Sequence, residues 1–212
     1  MRRQARTAAI MTVNATPRRC APPATERLTL RELGVDDADF MLELLNDAAF
    51  LANIGDRGVR TLDDARAYIV NGPMASYEKH GFGFWCVVER SSGARTGICG
   101  LARRETLDAV DIGFAFLPPF RARGYGFESA SAVMRLALEE LGLRRIVAIT
   151  SPGNTASAAL LERLGLRFER MVQVRDDEDA IRLFAWNAPA HEPGVDSPGA
   201  SPQTSTSSTS GV

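Results

Sequence analysis

The amino-acid sequence predicts an α/β (α+β) domain with a mixed sheet, because strand-period segments dominate and helices are inserted between them. Three observations carry this. Leu28 to Leu33 alternates apolar and polar residues, the period of a half-buried strand. Val110 to Leu117 is a nearly continuous apolar run closed by Pro118-Pro119. From Tyr125 to Leu141, Phe127, Ala130, Met134, Ala137 and Leu141 recur at helical spacing, and Gly142 then ends the helix.

The other elements follow in order. Asp36 opens a helix whose apolar face is Phe40, Met41, Leu44, Leu45 and Ala48, and Thr61-Leu62-Asp63-Asp64 is a capping-box start for a second helix that Gly72-Pro73 stops. Phe82 to Glu89 and Thr96 to Arg103 flank Ser91-Ser92-Gly93 as a hairpin. Arg145 to Thr150 is a short buried strand, and Asn154 caps a helix that Gly165 terminates. Leu166 to Arg175 and Ala180 to Trp186 form a last hairpin across the acidic turn 176–179.

The chain has 212 residues, 45% hydrophobic and 24% charged, enough apolar side chain to bury a core. Its 25 bases and 26 acids nearly cancel, which argues against a nucleic-acid coat or a polybasic membrane binder. Residues 1–24 contain five arginines and no acid and read as a disordered basic arm; 188–212 are mostly Pro, Gly, Ser and Thr and read as a disordered tail. Between them, residues 25–187 form one domain with 20 bases and 24 acids, a field that favours cationic partners. Lys79 is the only lysine, so the arginine usage reads as coding bias. Three scattered cysteines argue against a disulfide framework, two histidines argue against a zinc site or a Ser-His-Asp triad, and no apolar run suits a membrane helix. The expected protein is therefore cytoplasmic, with no metal, nucleic-acid or membrane partner. Nothing in the sequence decides whether it forms a homodimer.

Chemistry concentrates where the strand 110–117 runs through Arg121-Ala122-Arg123-Gly124-Tyr125-Gly126-Phe127 into a long helix. A helix start offers unpaired N–H groups and a positive dipole end, so this loop is an anion seat, with Arg121 and Arg123 to add charge and two glycines to admit a phosphate. Gly126 is followed by Phe127-Glu128, not Lys-Ser/Thr, so the loop is not a Walker loop, and no acidic residue ends the next strand as a dinucleotide site requires. A plain strand-loop-helix turn remains the alternative.

Arg121-x-x-Gly124-x-Gly126 resembles the acyl-CoA pyrophosphate loop of the GNAT family of N-acetyltransferases. Asn154-x-x-Ser157 followed by Leu161-Glu162-Arg163-Leu164-Gly165-Leu166 resembles that family's next motif, an Asn-capped helix ending in Lys-Leu-Gly-Phe, and Thr25 to Arg31 resembles the opening of the RimJ/RimL branch. The resemblance implies a mostly antiparallel six- to seven-stranded sheet, splayed between two central parallel strands, with helices on both faces. It implies acetyl-CoA as donor, with backbone groups of Phe114, Phe116 and Leu117 on the pantetheine arm. The pyrophosphate would lie on Arg121, Arg123, Gly124, Tyr125, Gly126 and Phe127, and Asn154 would orient the arm. The setting it implies is the bacterial cytoplasm. The acceptor is a primary amine, with a protein N-terminus as the leading expectation; other small-molecule or peptide amines, such as an antibiotic, a polyamine or an amino-acid amine, would also fit.

The reaction implied is direct attack of the amine in a ternary complex, which needs a base. Asp111 is the candidate, with Glu105 and Asp108 weaker and a solvated strand carboxylate as the plain reading. Many relatives use a tyrosine as acid where this chain has Leu161, which leaves Ser157 to donate to the thiolate. Cys86, Cys99, Phe82 and Trp85 read as core, Phe84 equally so, and residues 50–60 fall where this family lines its acceptor groove. A non-catalytic acyl-CoA-binding regulatory module is the competing function, favoured by the missing tyrosine; a nucleotide-binding protein using the same loop is a weaker one.

Overall fold

A computed structural model describes residues 19–173 and 180–189. Seven strands form one sheet: β1 (Leu28–Arg31), β2 (Phe84–Glu89), β3 (Arg95–Arg103), β4 (Val110–Phe116), β5 (Arg145–Thr150), β6 (Arg167–Val172) and β7 (Ile181–Asn187), in the order β1-β2-β3-β4-β5-β7-β6. Every neighbouring pair is antiparallel except β4 and β5. The mixed, mostly antiparallel sheet expected from sequence is therefore present, with helices on both faces.

The alternating pattern of β1 buries Leu28 and Leu30, which pack with Val87, Cys99, Leu101, Val110 and Ile112 beneath α5 (Tyr125–Glu139). That helix turns Ala130, Val133, Met134 and Ala137 onto the sheet, and α6 (Thr155–Arg163) adds Ala158 and Leu161 to the same core. The opposite face carries α1 (Ala38–Leu45), α2 (Ala48–Asn53) and α3 (Leu62–Ile69), with Phe40, Met41, Leu44, Phe50 and Ile69 over Cys86 and Ile98.

Three local differences have physical causes. The helix started at Asp36 divides, because Asp47 turns extended and caps α2 with its own carboxylate, accepting from the N–H groups of Ala49 and Phe50; Ala48 opens that new helix instead of closing α1. Gly72-Pro73 does not stop the second helix. A π-helical turn over Val70–Met74 absorbs the proline, and the chain continues as α4 (Ala75–His80) to a left-handed Gly81. Part of the expected N-terminal arm is docked: Cys20 N–H donates to Gly81 O at 2.8 Å, Arg19 pairs with Glu32 and Glu78, and Ala24 bridges to Thr29. The rest of that arm, the turn 176–179 and the tail beyond 189 lie outside the described residues. Among the described residues no helix is long and apolar enough to cross a membrane.

Glycines let aromatic rings lie on the sheet near its centre. A Cβ on Gly100 would stand 2.1 Å from Gly83 O and 2.6 Å from Phe84 Cα, both backbone atoms that cannot yield, whereas a Cβ on Gly153 would have open space around it. Gly100→Ala is therefore expected to cost about 3 kcal/mol or more, as severe overpacking does. Gly153→Ala, which removes unfolded-state entropy where a methyl has open space, is expected to gain about 0.5 kcal/mol. Chemical denaturation of the two variants checks both signs.

Candidate active site

The parallel pairing of β4 with β5 lasts only two residues, Val110↔Ile146 and Asp111↔Val147, after which the strands part. On its other side β4 stays paired with β3 through Phe116, and Leu117 N–H still donates to Thr96 O at 2.9 Å. Antiparallel ladders alternate, so residues 111, 113, 115 and 117 spend their backbone groups on β3, and Phe114 and Phe116 turn theirs to the gap. The gap opens into a cleft of about 910 Å³ lined by residues of β4, β5, α2, α6 and the 120–127 loop. That volume suits an extended ligand of cofactor size.

The cleft runs onto the start of α5. Gly124, at φ +82°, caps the helix, and the first backbone bond is Glu128 N–H to Gly124 O. Among the described residues no acceptor meets the backbone N–H groups of 122 to 127, and Ala122 is held in the left-handed region at φ 58°. Consecutive free N–H groups at a helix N-terminus are an anion site. The two arginines expected there are otherwise engaged. Arg121 pairs with the capping Asp47 and donates Nε–H to Phe116 O at 2.8 Å, and Arg123 lies over the Phe120 ring at 5.5 Å. Burial opposes ionisation of Asp47, but Arg121 and the α2 N–H groups hold its carboxyl below the usual range. Arg163, in the lysine position of the second motif, lines the cleft and stacks on Phe127 at 4.2 Å.

Several expected binding residues contribute differently than anticipated. Leu117 sits in the α1–α3 core with its N–H spent on β3, so it offers nothing to a ligand in the gap. The Tyr125 side chain turns away to donate to Glu89, leaving only its backbone N–H. Gly126 lacks a side chain for packing reasons too: a Cβ there would stand 2.9 Å from Leu160 of α6. Asn154 accepts from Ser157 N–H at 3.0 Å as the α6 cap, which leaves its amide donors to the cleft it lines.

Asp111 stands at the fork. It is 2% exposed, Oδ2 accepts from Arg104 Nε at 2.7 Å, and Oδ1 is buried without a hydrogen-bond partner. Burial pushes its carboxyl up to about 6, against the opposing pull of Arg104. Ser157 and Leu161 line the same cleft across from β4. Glu105 is exposed and Asp108 pairs with Arg145, both away from the cleft lining. Cys86 and Cys99 are fully buried thiols that burial pushes up to about 12, as inert core residues should be. Of the aromatics, Phe84 reaches the cleft while Phe82 and Trp85 are core.

Of the 50–60 segment, Phe50, Asn53, Ile54 and Arg57 line the cleft, the first two from helix α2, and Ser151 just after β5 bonds Asn53 at 3.2 Å across the mouth. Arg104 carries no motif; its signal is the β3–β4 hairpin register, which sets Asp111 opposite Ala102 and so makes Arg104, two residues further along, its diagonal neighbour on the same face. The charged residues of the lining are Arg57, Arg104, Arg121 and Arg163 against Asp111, so the local field is cationic although the domain is acidic.

Residues 27–167 match the family described as acetyltransferase (GNAT) domain. The chain is 28% identical over 145 residues to the N-acetyltransferase YnaD of Bacillus subtilis, covering 68% of this chain and 82% of that protein. It is 30% identical over 167 residues to the FsC-acetyl coenzyme A-N(2)-transacetylase of Aspergillus fumigatus, covering 74% of this chain and 67% of that protein. Among solved structures, a GNAT acetyltransferase of Bacillus anthracis superposes with a TM-score of 0.65 at 24% identity, over 77% of this chain and 96% of that one. RimL, the ribosomal L7/L12 α-N-protein acetyltransferase in complex with coenzyme A, gives 0.68 at 18% identity, over 79% and 97%. The forked sheet with its open β4 edge and helix-start anion site is thus the scaffold of an acetyl-CoA-dependent acetyltransferase, and the chain belongs to the GNAT family.

Proposed function

We propose that this enzyme moves the acetyl group of acetyl-CoA to a primary amine by direct attack, with Asp111 as base and Ser157 as hydrogen-bond donor to the departing sulfur. The observation that carries this is the continuity of one cleft from the carboxylate at the fork, along the open β4 edge, to the free N–H groups of 122–127. Those groups fit a pyrophosphate, and the Phe114 backbone fits an amide-bearing arm as an added half-strand would. The bound thioester supplies an activated acyl carbon.

The residues then act in sequence. Asp111 Oδ1 has no partner and so is the atom left to accept an amine proton. A carboxyl raised to about 6 is ionised at neutral pH yet basic enough to draw that proton. As the N–C bond forms, the Phe114 N–H steadies charge on the carbonyl oxygen. As the C–S bond breaks, Ser157 donates to the sulfur, which finally holds the proton the nitrogen lost. Leu161 keeps that part of the cleft apolar. A protein N-terminal amine is one acceptor this chemistry serves. Residues 25–187 form the transferase unit, and the enzyme works in the cytoplasm.

Thiol release from acetyl-CoA with a panel of amines tests the reading: turnover with at least one amine is expected, and tight acetyl-CoA binding without turnover on any would establish the regulatory module instead. Asp111→Asn is expected to lower kcat by 10²-fold or more while acetyl-CoA affinity changes little. Because burial raises this carboxyl, the folded state already favours its neutral form, so the substitution should leave the melting temperature unchanged or higher. The wild-type pH profile should lose activity below pH about 6, a limb absent in the variant. Ser157→Ala should reduce turnover about tenfold, toward the low end of proton-transfer effects, without weakening acetyl-CoA binding measured by calorimetry.

A further inference from the structure

Asp111 and Arg104 stand side by side, Oδ2 to Nε at 2.7 Å, and both line the cleft. The carboxylate presents one buried oxygen without a partner, and the guanidinium makes no other hydrogen bond among the described residues, with its side chain 32% exposed. Guanidinium carries five donors in a fixed fork, so the NH1 and NH2 side remains available for a planar anion. An acceptor amine brought to Asp111 must therefore meet a cation at its elbow. A simple ammonium or polyamine is repelled there, and a peptide N-terminus offers only an amide. A molecule that carries its carboxylate on the carbon next to the amine satisfies both groups at once.

The adjoining wall is apolar: Leu44, Phe50, Ile54, Tyr68, Phe84 and Ile98 line the acceptor side under α1–α3. Arg57 adds a second positive charge to that side. We infer that the acceptor is a free α-amino acid with an apolar side chain, its amine on Asp111, its carboxylate on the outer edge of Arg104 and its side chain against the Phe50 and Phe84 wall. This assignment rests on the transfer reaction proposed above and names its acceptor class. It reverses the preference for cations suggested by the acidic composition, because the charges that face the acceptor are the local ones, screened least inside a cleft.

The test compares L-leucine with L-leucinamide and the dipeptide Leu-Gly. Two readouts are taken: thiol release from acetyl-CoA, and calorimetric binding to the CoA-saturated full-length protein. The wild type is expected to prefer leucine over both competitors in both readouts. Arg104→Gln should erase about tenfold or more of that preference, the scale of a lost charge-assisted hydrogen bond. Arg104→Lys, which keeps the charge but not the fork, should retain part of it and guards against a misfolded variant. The quantity read is the acid-to-amide ratio, since any change in Asp111 basicity acts on both amines alike. Equal or better use of the amide or dipeptide by the wild type overturns the assignment, as does a ratio that Arg104→Gln leaves unchanged. Selective binding of leucine with no turnover supports the carboxylate site while refuting the transfer reaction.

Discussion

Everything that distinguishes this site depends on a sheet that fails to close. Between β4 and β5 the ladder forms two rungs and then stops, so one edge of a central strand is left with unpaired backbone groups inside the molecule. An unmet buried N–H or C=O costs free energy comparable to a lost hydrogen bond, and proteins almost always pair them. The fork is held open by what flanks it. Proline at 118 and 119 ends β4 and throws the chain into the 120–127 loop, and α2 spans the mouth through Asn53 and Ser151. The proposed ligand, with amides of its own, would restore the ladder, and the helix start just beyond the strand would receive its anionic end.

Electrostatics at the fork follow from the same geometry. A carboxylate at the root of the gap is dry because the strands converge there, and desolvation raises its pKa; Arg104 keeps the shift moderate. A carboxyl in apolar surroundings with no cation would stay neutral at working pH and could not accept a proton. One fully compensated by a cation would be too weakly basic. The Nε contact and the nearby Ile149 N–H, both pulling against burial, set Asp111 between those limits. Arg121 performs a different service: it ties the capping Asp47 of α2 to the end of β4, so the acceptor wall and the anion loop are braced against each other. In the binding mode proposed above its charge would act on a phosphate only as background field, and the consecutive N–H groups of the loop would make the directional bonds.

Most of the fold was legible because local chemistry agreed with it. Thr61, Asn154, Gly142 and Gly165 punctuate helices where their side chains or positive φ angles demand, and the apolar periods of Leu28–Leu33 and Tyr125–Leu141 match buried faces. The misreadings came where a residue's partner lies far along the chain. Asp47 looks like one more helix acid until its capping geometry and Arg121, 74 residues on, are seen. Pro73 reads as a stop, but packing of Pro73 and Tyr77 carries the helix past it. Gly126 reads as room for a phosphate, and its neighbour Leu160 gives a second reason that no local pattern contains. The motif loop gives a run of free backbone N–H groups but not the partners of its arginines, since side-chain direction is set by tertiary contacts that spacing does not encode.

The replacement of a tyrosine by Leu161 bears on the chemistry less than it first suggests. A thiol has a reference pKa of about 8.5, so expelling it as thiolate near pH 7.5 forgoes about one unit, roughly 1.4 kcal/mol, of proton assistance. An amine at about 8 for an α-amino group or about 10.4 for lysine must lose its proton before it has a lone pair at all. The demand for a base therefore exceeds the demand for an acid, and it grows with the basicity of the acceptor. With Asp111 as the proposed base, a cleft that has a raised carboxyl at the fork and an aliphatic residue in the tyrosine's place would keep the group the reaction needs most. In the proposed reaction the hydroxyl of Ser157, one helical turn before Leu161, would need only to solvate a leaving group that is already stable. Leu161, buried in the cleft lining, would in turn keep water from the thioester of the proposed complex, which would favour aminolysis over the competing hydrolysis.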